Sequence, residues 1–97
     1  MRVLLIGKSG QVGHHLARAL TACGEVVAPD RGQLDLSQTD SIRTTVRTIR
    51  PDVIVNAAGV TDVDQAEAQR DLAMQINGIA PGVLAEEACK ADALLVH

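Results

Sequence analysis

The stretch that decides the fold runs from Val3 to Gly13 and reads VLLIGKSGQVG. Its first four residues are apolar without interruption, which is typical of a strand that is covered on both faces. Glycines follow at positions 7, 10 and 13, and from position 12 onward apolar residues recur at helical spacing. The sequence therefore predicts a strand, a tight glycine turn and a helix in immediate succession.

Short strand-like runs alternate with longer helical stretches along the rest of the chain. Strands are expected at 2–6, 25–28, 52–56 and 93–96, and helices at 11–23, 39–50, 64–76 and 78–91. Pro81 is compatible only with the first turn of a helix, so a break is expected near Asn77 and Gly78. Connections of this length join parallel strands by right-handed crossovers. We therefore expect an α/β fold, a Rossmann-like doubly wound parallel sheet truncated to about four strands in the order 2-1-3-4 with flanking helices.

Composition narrows the class of protein. The chain has 97 residues, is 46% hydrophobic, carries a net charge of −3 and contains no Phe, Trp or Tyr. These values fit one small globular domain and argue against binding to nucleic acid or to an anionic membrane. The apolar runs are too short for a membrane span or a signal peptide, so a cytoplasmic location is expected. Cys23 and Cys89 are expected to be buried free thiols, and no Cys/His cluster predicts a metal site.

The glycine turn has the pattern G-x-x-G-x-x-G, a relative of the dinucleotide-binding pattern G-x-G-x-x-G. Gly7 allows a sharp turn, Gly10 leaves room for a pyrophosphate, and Gly13 lets the helix pack closely on the strand. The free N–H groups of Gln11 and Val12 then point at the phosphates. This pattern predicts a site for NAD or NADP; the alternative is a tight turn that binds no ligand.

The end of the second strand carries the candidate ribose contacts, Asp30 and Arg31. A carboxylate there accepts hydrogen bonds from the ribose hydroxyls of NAD, whereas an arginine pairs with the 2′-phosphate of NADP. Because both residues are present, the preference between the two cofactors stays open. The alternative for Asp30 is a purely local role in the turn after Pro29.

Further candidates follow the second and third strands. Asp35 is a possible acceptor for the exocyclic amine of adenine, with Leu34 or Leu36 against the ring; alternatively Ser37 or Thr39 caps the next helix. Small residues beyond the third strand are expected to lie along the cofactor, because open α/β sheets bind ligands at the carboxyl ends of their strands. They are Ala57, Ala58, Gly59, Val60 and Thr61. Asp64 and Glu67 match a helix capping box better than a pair of catalytic acids.

Three runs carry a resemblance to a known family: LLIGKSGQVG from Leu4, IRPDVIVNAA from Ile49 and TDVDQAE from Thr61. With them the whole chain resembles the N-terminal portion of the dTDP-4-dehydrorhamnose reductases, a family of extended short-chain dehydrogenases/reductases. Members reduce the 4-keto group of a dTDP-6-deoxy-hexulose to a hydroxyl with NADPH or NADH, and the product is dTDP-L-rhamnose. The resemblance implies that residues 10–13 contact the pyrophosphate, 30–31 the adenosine ribose, 35–36 the adenine and 59–61 the nicotinamide half.

The resemblance also implies a missing part. In this family a Ser or Thr and a Tyr-x-x-x-Lys pair act on the carbonyl, with the tyrosine as the acid. The chain contains no tyrosine, and its only lysines are Lys8 and Lys90. The catalytic residues are therefore expected beyond residue 97, together with the sugar-nucleotide domain. Residues 1–97 are expected to be the cofactor-binding part of a reductase and inactive alone.

Several readings stay open at this stage. Three classes of parent protein are compatible with the sequence. The first is a dTDP-4-dehydrorhamnose reductase, the second is another extended reductase such as a sugar-nucleotide epimerase or dehydratase, and the third is a non-catalytic dinucleotide-binding regulatory subunit. An α/β fragment that binds nothing is the remaining alternative. The expected partners are a nicotinamide dinucleotide and, only in the full-length protein, a dTDP-sugar; a homodimer is left open.

Overall fold

Strands and helices alternate along the chain in a computed structural model, which describes residues 1–8, 11–30, 32–58 and 74–96. The elements are β1 (Arg2–Ile6), α1 (Gln11–Leu20), β2 (Glu25–Val27), α2 (Thr39–Ile49), β3 (Val53–Asn56), α3 (Ala80–Ala91) and β4 (Leu94–Val96). A 3₁₀ turn, Thr21–Cys23, extends α1, and a π-helical segment, Gln75–Ile79, precedes α3. The predicted strands and helices within the described residues are thus present; most of their ends agree, and the others are shifted by one to three residues. The predicted helix at 64–76 and the Asp64/Glu67 capping box lie outside the described residues, apart from the last three residues of that helix.

The four strands form one parallel sheet in the order β2-β1-β3-β4, as predicted. In the middle of the sheet Leu4 of β1 lies between Val27 of β2 and Ile54 of β3. The strands run in the same direction, so the residues that follow β1, β2 and β3 all emerge at the carboxyl edge of the sheet. This arrangement brings the glycine turn and the segment after β3 to adjacent positions.

Alternate residues of the central strands bury opposite faces of the sheet. Leu4, Ile6 and Ile54 pack in one cluster with α2 and α3, whereas Val3 and Leu5 pack with α1 on the other face. All of these side chains are at most 4% exposed. Burial of a side chain of this size stabilises a fold by roughly 1.5–3 kcal/mol, so the two clusters fix the position of β1 between the helical layers.

A buried carboxylate joins α2 to α3. The side chain of Glu87 in α3 is 1% exposed, and its Oε1 accepts a hydrogen bond of 2.7 Å from Nε of Arg47 in α2. Arg43 donates to Oε2 at 3.0 Å, and the Lys90 ammonium lies 3.7 Å from the same oxygen. The hydrogen bond from Arg47 is the largest cause that lowers the pKa of Glu87, and it outweighs burial, which acts in the opposite direction. The charge on Glu87 is therefore compensated by three cations, as a buried ion requires.

Arg2 links several elements at the amino-terminal edge of the sheet, opposite the edge that carries the glycine turn. Its backbone N–H donates to the Asp52 carboxylate at 2.7 Å, and its guanidinium donates to the carbonyl of Ile49 at the end of α2, at 2.6 Å. A further ion pair of 3.2 Å reaches Glu25 in β2. These exposed contacts join β1 to β2, to the residue before β3 and to the end of α2.

The predicted helix break ahead of Pro81 is wrong. The helix does not break near Asn77 and Gly78, because the π-helical segment continues directly into α3. The N–H of Ala80 bonds to the carbonyl of Gln75, five residues earlier, and this wider turn admits Pro81, which lacks an N–H, into the first turn of α3.

The predicted burial of the two cysteines is also wrong. Both thiols are free, as expected, but both residues are exposed. Cys23 lies in the 3₁₀ turn, which has no buried residue. Cys89 follows Ala88, and it is Ala88, with Leu84, that faces the core. In the part of the chain that the structure describes, no helix is long and apolar enough to cross a membrane.

Candidate functional site

The glycine turn joins β1 to α1 with no free space between its two outer glycines. Gly7 has a φ of 91°, a region that favours glycine, and a Cβ on it would lie 2.7 Å from the N atom of Ala58. A Cβ on Gly13 would overlap the carbonyl oxygen of Gly7 and lie 2.6 Å from its carbonyl carbon. The close packing that the sequence predicts for Gly13 is therefore present. Gly10 lies outside the described residues.

The start of α1 is the element that can face an anion. The helix begins at Gln11, so the N–H groups of Gln11, Val12 and Gly13 belong to the first turn, where they have no partner within the helix. A helix N-terminus also carries a partial positive charge. Since the close approach of Gly13 to Gly7 fixes this turn directly over the end of β1, the amides are held at the carboxyl edge of the sheet.

The segment after β3 forms the neighbouring wall of the site. The N–H of Ala57 donates to the carbonyl of Ile6 at 2.9 Å, which continues the pairing of β3 with β1. The N–H of Ala58 donates to the side-chain Oδ1 of Asn56 at 3.1 Å. Asn56 itself is only 9% exposed. Gly59, Val60 and Thr61, which the sequence also nominates, lie outside the described residues.

Asn56 is the first residue of the segment that the sequence places beyond the third strand, but the sequence assigns it no role of its own. The signal was present, since a polar amide ends a strand whose preceding residues, Val53 to Val55, are all apolar. A buried polar side chain at the carboxyl end of a parallel strand requires a partner, and here the partner is the backbone of the loop that leads into the site.

Asp30 makes the local turn that was the alternative to a ribose contact. Its Oδ1 accepts hydrogen bonds of 2.9 Å from the N–H groups of both Gly32 and Gln33. Its backbone carbonyl accepts from Gln33 and Leu34, at 3.1 and 2.9 Å. Neither side-chain bond uses Oδ2, so a contact from that oxygen to a ribose stays a prediction. Arg31 lies outside the described residues.

Asp35 is exposed and organises the approach to α2. Its Oδ1 accepts hydrogen bonds from the Ser37 hydroxyl at 2.6 Å and from the Ser37 N–H at 2.9 Å. The hydroxyl, followed by the N–H, holds the pKa of the Asp35 carboxyl below its ordinary value. The capping role considered for Ser37 or Thr39 is wrong, because the N-cap of α2 is Gln38 and no side chain caps it. Ser37 bonds back to Asp35 instead.

Leu34 and Leu36 both belong to the buried cluster beneath α2 and α3, and they are 4% and 8% exposed. Their positions on either side of Asp35 turn the carboxylate outward while the two leucines anchor the loop. The contacts of Asp35 and Leu36 with an adenine stay predictions.

A parallel sheet in the order 2-1-3-4 with a glycine turn at the carboxyl end of β1 defines a Rossmann-like protein. The site lies at the carboxyl end of β1, between β2 on one side and β3 on the other. This point, where the strand order reverses, is where folds of this class bind ligands. The family described as the RmlD substrate binding domain matches residues 1–97. The chain therefore belongs to that family.

Curated relatives match all or nearly all of the chain. The dTDP-4-dehydrorhamnose reductase of Burkholderia thailandensis is 42% identical over 97 residues, which is 100% of this chain and 33% of the relative. That of Streptomyces griseus is 43% identical over 91 residues, which is 93% of this chain and 30% of the relative. The chain thus spans about a third of the length of these curated relatives. The resemblance stated from the sequence motifs is confirmed.

Solved structures agree with the fold. A dTDP-4-dehydrorhamnose reductase from Bacillus anthracis, in complex with NADP, superposes with a TM-score of 0.89 at 35% identity, over 99% of this chain and 35% of that one. A UDP-glucose 4-epimerase from Thermus thermophilus, in complex with NAD, gives a TM-score of 0.80 at 23% identity, over 96% of this chain and 35% of that one. The second comparison shows a shared fold alone. The predicted fold class is confirmed.

Proposed function

We propose that this chain is the cofactor-binding part of an NAD(P)H-dependent reductase that converts dTDP-4-dehydro-L-rhamnose to dTDP-L-rhamnose. The observation that carries the proposal is the packing of Gly13 against the Gly7 carbonyl, which sets the first amides of α1 at the carboxyl edge of the sheet. Two further findings support it: curated dTDP-4-dehydrorhamnose reductases match all or nearly all of the chain, and the B. anthracis reductase was solved in complex with NADP.

The described residues fit a dinucleotide. The absence of a side chain at Gly7 and at Gly13 lets the loop after β3 and the first turn of α1 pack directly against the end of β1, and this packing sets the free amides of α1 where a pyrophosphate can reach them. We assign the pyrophosphate to Gly7, Gly10, Gln11, Val12 and Gly13. The remaining assignments are Asp30 and Arg31 to the adenosine ribose, Asp35 and Leu36 to the adenine, and Ala57, Ala58, Gly59, Val60 and Thr61 to the nicotinamide half.

The chain's own part in the reaction is to bind and orient. A reduced nicotinamide held at this site would be the source of the hydride for the 4-keto carbon and would leave as the oxidised cofactor. The amides of α1 hold the phosphates, and the Ala57–Ala58 wall keeps water from one side of the cleft. Proton donation to the ketone oxygen requires an acid, which the resemblance to the reductases implies is a tyrosine; since residues 1–97 contain no tyrosine, we assign it to a later segment. The domain assignment follows: residues 1–97 are the N-terminal part of the NAD(P)-binding domain, and the dTDP-sugar binds elsewhere in the longer protein.

The alternative functions proposed from the sequence have less support than the reductase. Two UDP-glucose 4-epimerase structures of similar fold are 23% and 18% identical to the chain, and likeness at this level shows the fold alone. The choice between NADP and NAD, the cytoplasmic location and a homodimer stay predictions.

The direct test is a titration of the 97-residue chain with NADPH and with NADH, followed by the fluorescence of the reduced nicotinamide or by calorimetry. We expect saturable binding that is weaker than that of a full-length reductase, because fewer contacts offset the same loss of freedom. A folded chain that binds neither nucleotide would overturn the proposal. Reduction of the dTDP-4-keto sugar by this chain alone would overturn the assignment of the acid to a later segment.

A further inference from the structure

The polar end of β3 is the starting point of a further inference. Asn56 follows Ile54 and Val55, which are 0% and 8% exposed, and is itself 9% exposed. Burial of an amide among apolar side chains is costly unless its hydrogen-bonding groups are satisfied. The residue therefore has to serve a purpose that an apolar side chain at the end of this strand does not.

The side chain of Asn56 closes a turn onto the residue two positions later. Its Oδ1 accepts the N–H of Ala58 at 3.1 Å, the bond that defines an Asx turn. One residue earlier, the N–H of Ala57 is bound to the carbonyl of Ile6 at 2.9 Å. The exit from β3 is thus fixed by two consecutive bonds, one to the backbone of β1 and one to the Asn56 carboxamide.

The atom that Asn56 holds is also the atom that packs on the glycine turn. The N atom of Ala58 lies 2.7 Å from the position of a Cβ on Gly7, and among the described residues outside the immediate neighbours of Gly7 it is the nearest atom. The Ala57–Ala58 peptide therefore lies close against Gly7, in the space that a side chain there would need. A small rotation of this peptide would either collide with Gly7 or open a gap beside it.

We infer that Asn56 is a positioning residue for the cofactor: its carboxamide fixes the Ala57–Ala58 peptide against Gly7 and so sets the shape of the cleft between the glycine turn and the loop after β3. This inference rests on the proposed function, because it concerns the same dinucleotide site. Asn56 acts through the Ala58 N–H and the backbone of Gly7, and no contact between Asn56 and the ligand is required.

The test compares variants that remove and retain the acceptor. Asn56→Ala removes it and leaves the Ala58 N–H without its partner, whereas Asn56→Ser keeps a shorter acceptor that forms the same type of turn more weakly. We expect NADPH to bind roughly 3- to 10-fold more weakly to Asn56→Ala than to the wild-type chain, which is the effect of one lost hydrogen bond, and expect Asn56→Ser to restore part of this loss.

The matched control is Val46→Ala, which truncates a buried side chain of α2 that is 1% exposed. Val46 lies away from the cofactor cleft: with Pro51 and Asp52 it lines a different pocket, at the opposite edge of the sheet. This variant is expected to lose stability in urea without a change in the dissociation constant for NADPH. Equal weakening by Val46→Ala and Asn56→Ala at equal loss of stability would show a merely structural role and overturn the inference.

The remaining outcomes separate the two proposals. A folded Asn56→Ala variant that binds NADPH as tightly as the wild type overturns the positioning role alone; if that variant does not fold, Asn56→Leu, which also removes the acceptor but keeps a side chain of similar size, takes its place. A wild-type chain that binds no nicotinamide dinucleotide overturns the proposed function and the positioning role with it. Hydrogen exchange at the Ala58 amide gives a readout that is independent of ligand, and it is expected to accelerate in Asn56→Ala and less in Asn56→Ser.

Discussion

The carbonyl oxygen of Gly7 occupies the space that a side chain on Gly13 would need. This relationship ties the start of α1 to the end of β1 through backbone alone. It explains why a residue six positions along the chain, in the first turn of a helix, has to be glycine although glycine is a poor helix former.

Gly13→Ala is expected to destabilise the chain by about 1–3 kcal/mol, the usual cost of inserting atoms into a filled space. The added methyl group has to push α1 away from the glycine turn, so NADPH affinity is expected to fall as well. Urea unfolding measures the first effect and a titration of the folded variant the second. Unchanged values for both would contradict the packing described here.

Gly82→Ala is the matched control, because the same substitution is made where there is room. Gly82 lies in α3, and a Cβ built on it meets no atom within 4 Å. Alanine is the better helix former, so this variant is expected to gain up to about 1 kcal/mol of stability. Its affinity for NADPH is expected to match that of the wild type.

Glu87→Gln is expected to lower the free energy of unfolding by about 2 kcal/mol. Removal of one member of a buried ion pair commonly costs 3–5 kcal/mol, and here roughly half of that is expected because Arg47, with 61% of its side chain exposed, is rehydrated. Glu86→Gln is the control in the same helix. Glu86 also contacts Arg43 but is 58% exposed, so its loss is expected to cost less than about 1 kcal/mol. Similar losses for both variants would show that the burial of Glu87 contributes nothing.

The pH dependence of stability follows from the same carboxylate. The pKa of Glu87 is lower in the folded chain than its ordinary value of 4.5, so the unfolded chain binds more protons. The stability that Glu87 contributes is therefore fully present above pH 4.5 and is lost as the pH falls through the lower, folded-state pKa. Urea unfolding as a function of pH is expected to show a shallower decline for Glu87→Gln. The decline is not expected to vanish, because the pKa of Asp35 is lowered too.

Asp30→Asn is expected to shift cofactor preference toward NADPH. The amide oxygen can still accept the N–H groups of Gly32 and Gln33, whereas the negative charge that opposes a 2′-phosphate is removed. The measurement is the ratio of the dissociation constants for NADH and NADPH. Asp35→Asn serves as the comparison, since adenine is common to both cofactors and the ratio is expected to stay constant. An unchanged ratio in Asp30→Asn would place Asp30 away from the 2′ position.

The sequence predicted the parts of the fold that depend on local pattern. The apolar run at Val3–Ile6, the glycines and the helical spacing after them are sufficient for β1, the turn and α1, and the long crossovers determine the parallel order. The pairing of Glu87 with Arg47, 40 residues apart, was not predictable because it depends on how α2 and α3 pack. The exposure of Cys89 depends on a rotation of α3 that places Ala88 inward.

The site shows the same division between local and long-range information. The close backbone packing at Gly7 and Gly13 follows from the motif. The bond from Asn56 to Ala58 was missed, because an asparagine after a strand is compatible with many roles until its neighbours are known. The π-helical turn at Gln75–Ile79 was missed because Gly78 and Pro81 were taken to interrupt a helix, whereas a wider hydrogen-bond register accommodates them.

The most direct test of the central claim is the change in backbone amide chemical shifts when the ¹⁵N-labelled chain is titrated with NADPH. We expect the largest changes at Gln11, Val12 and Gly13, with a second group at Ala57 and Ala58, and little change at Arg50 and Asp92 at the opposite edge of the sheet. Saturable changes centred on that opposite edge, with the first turn of α1 unaffected, would contradict the account.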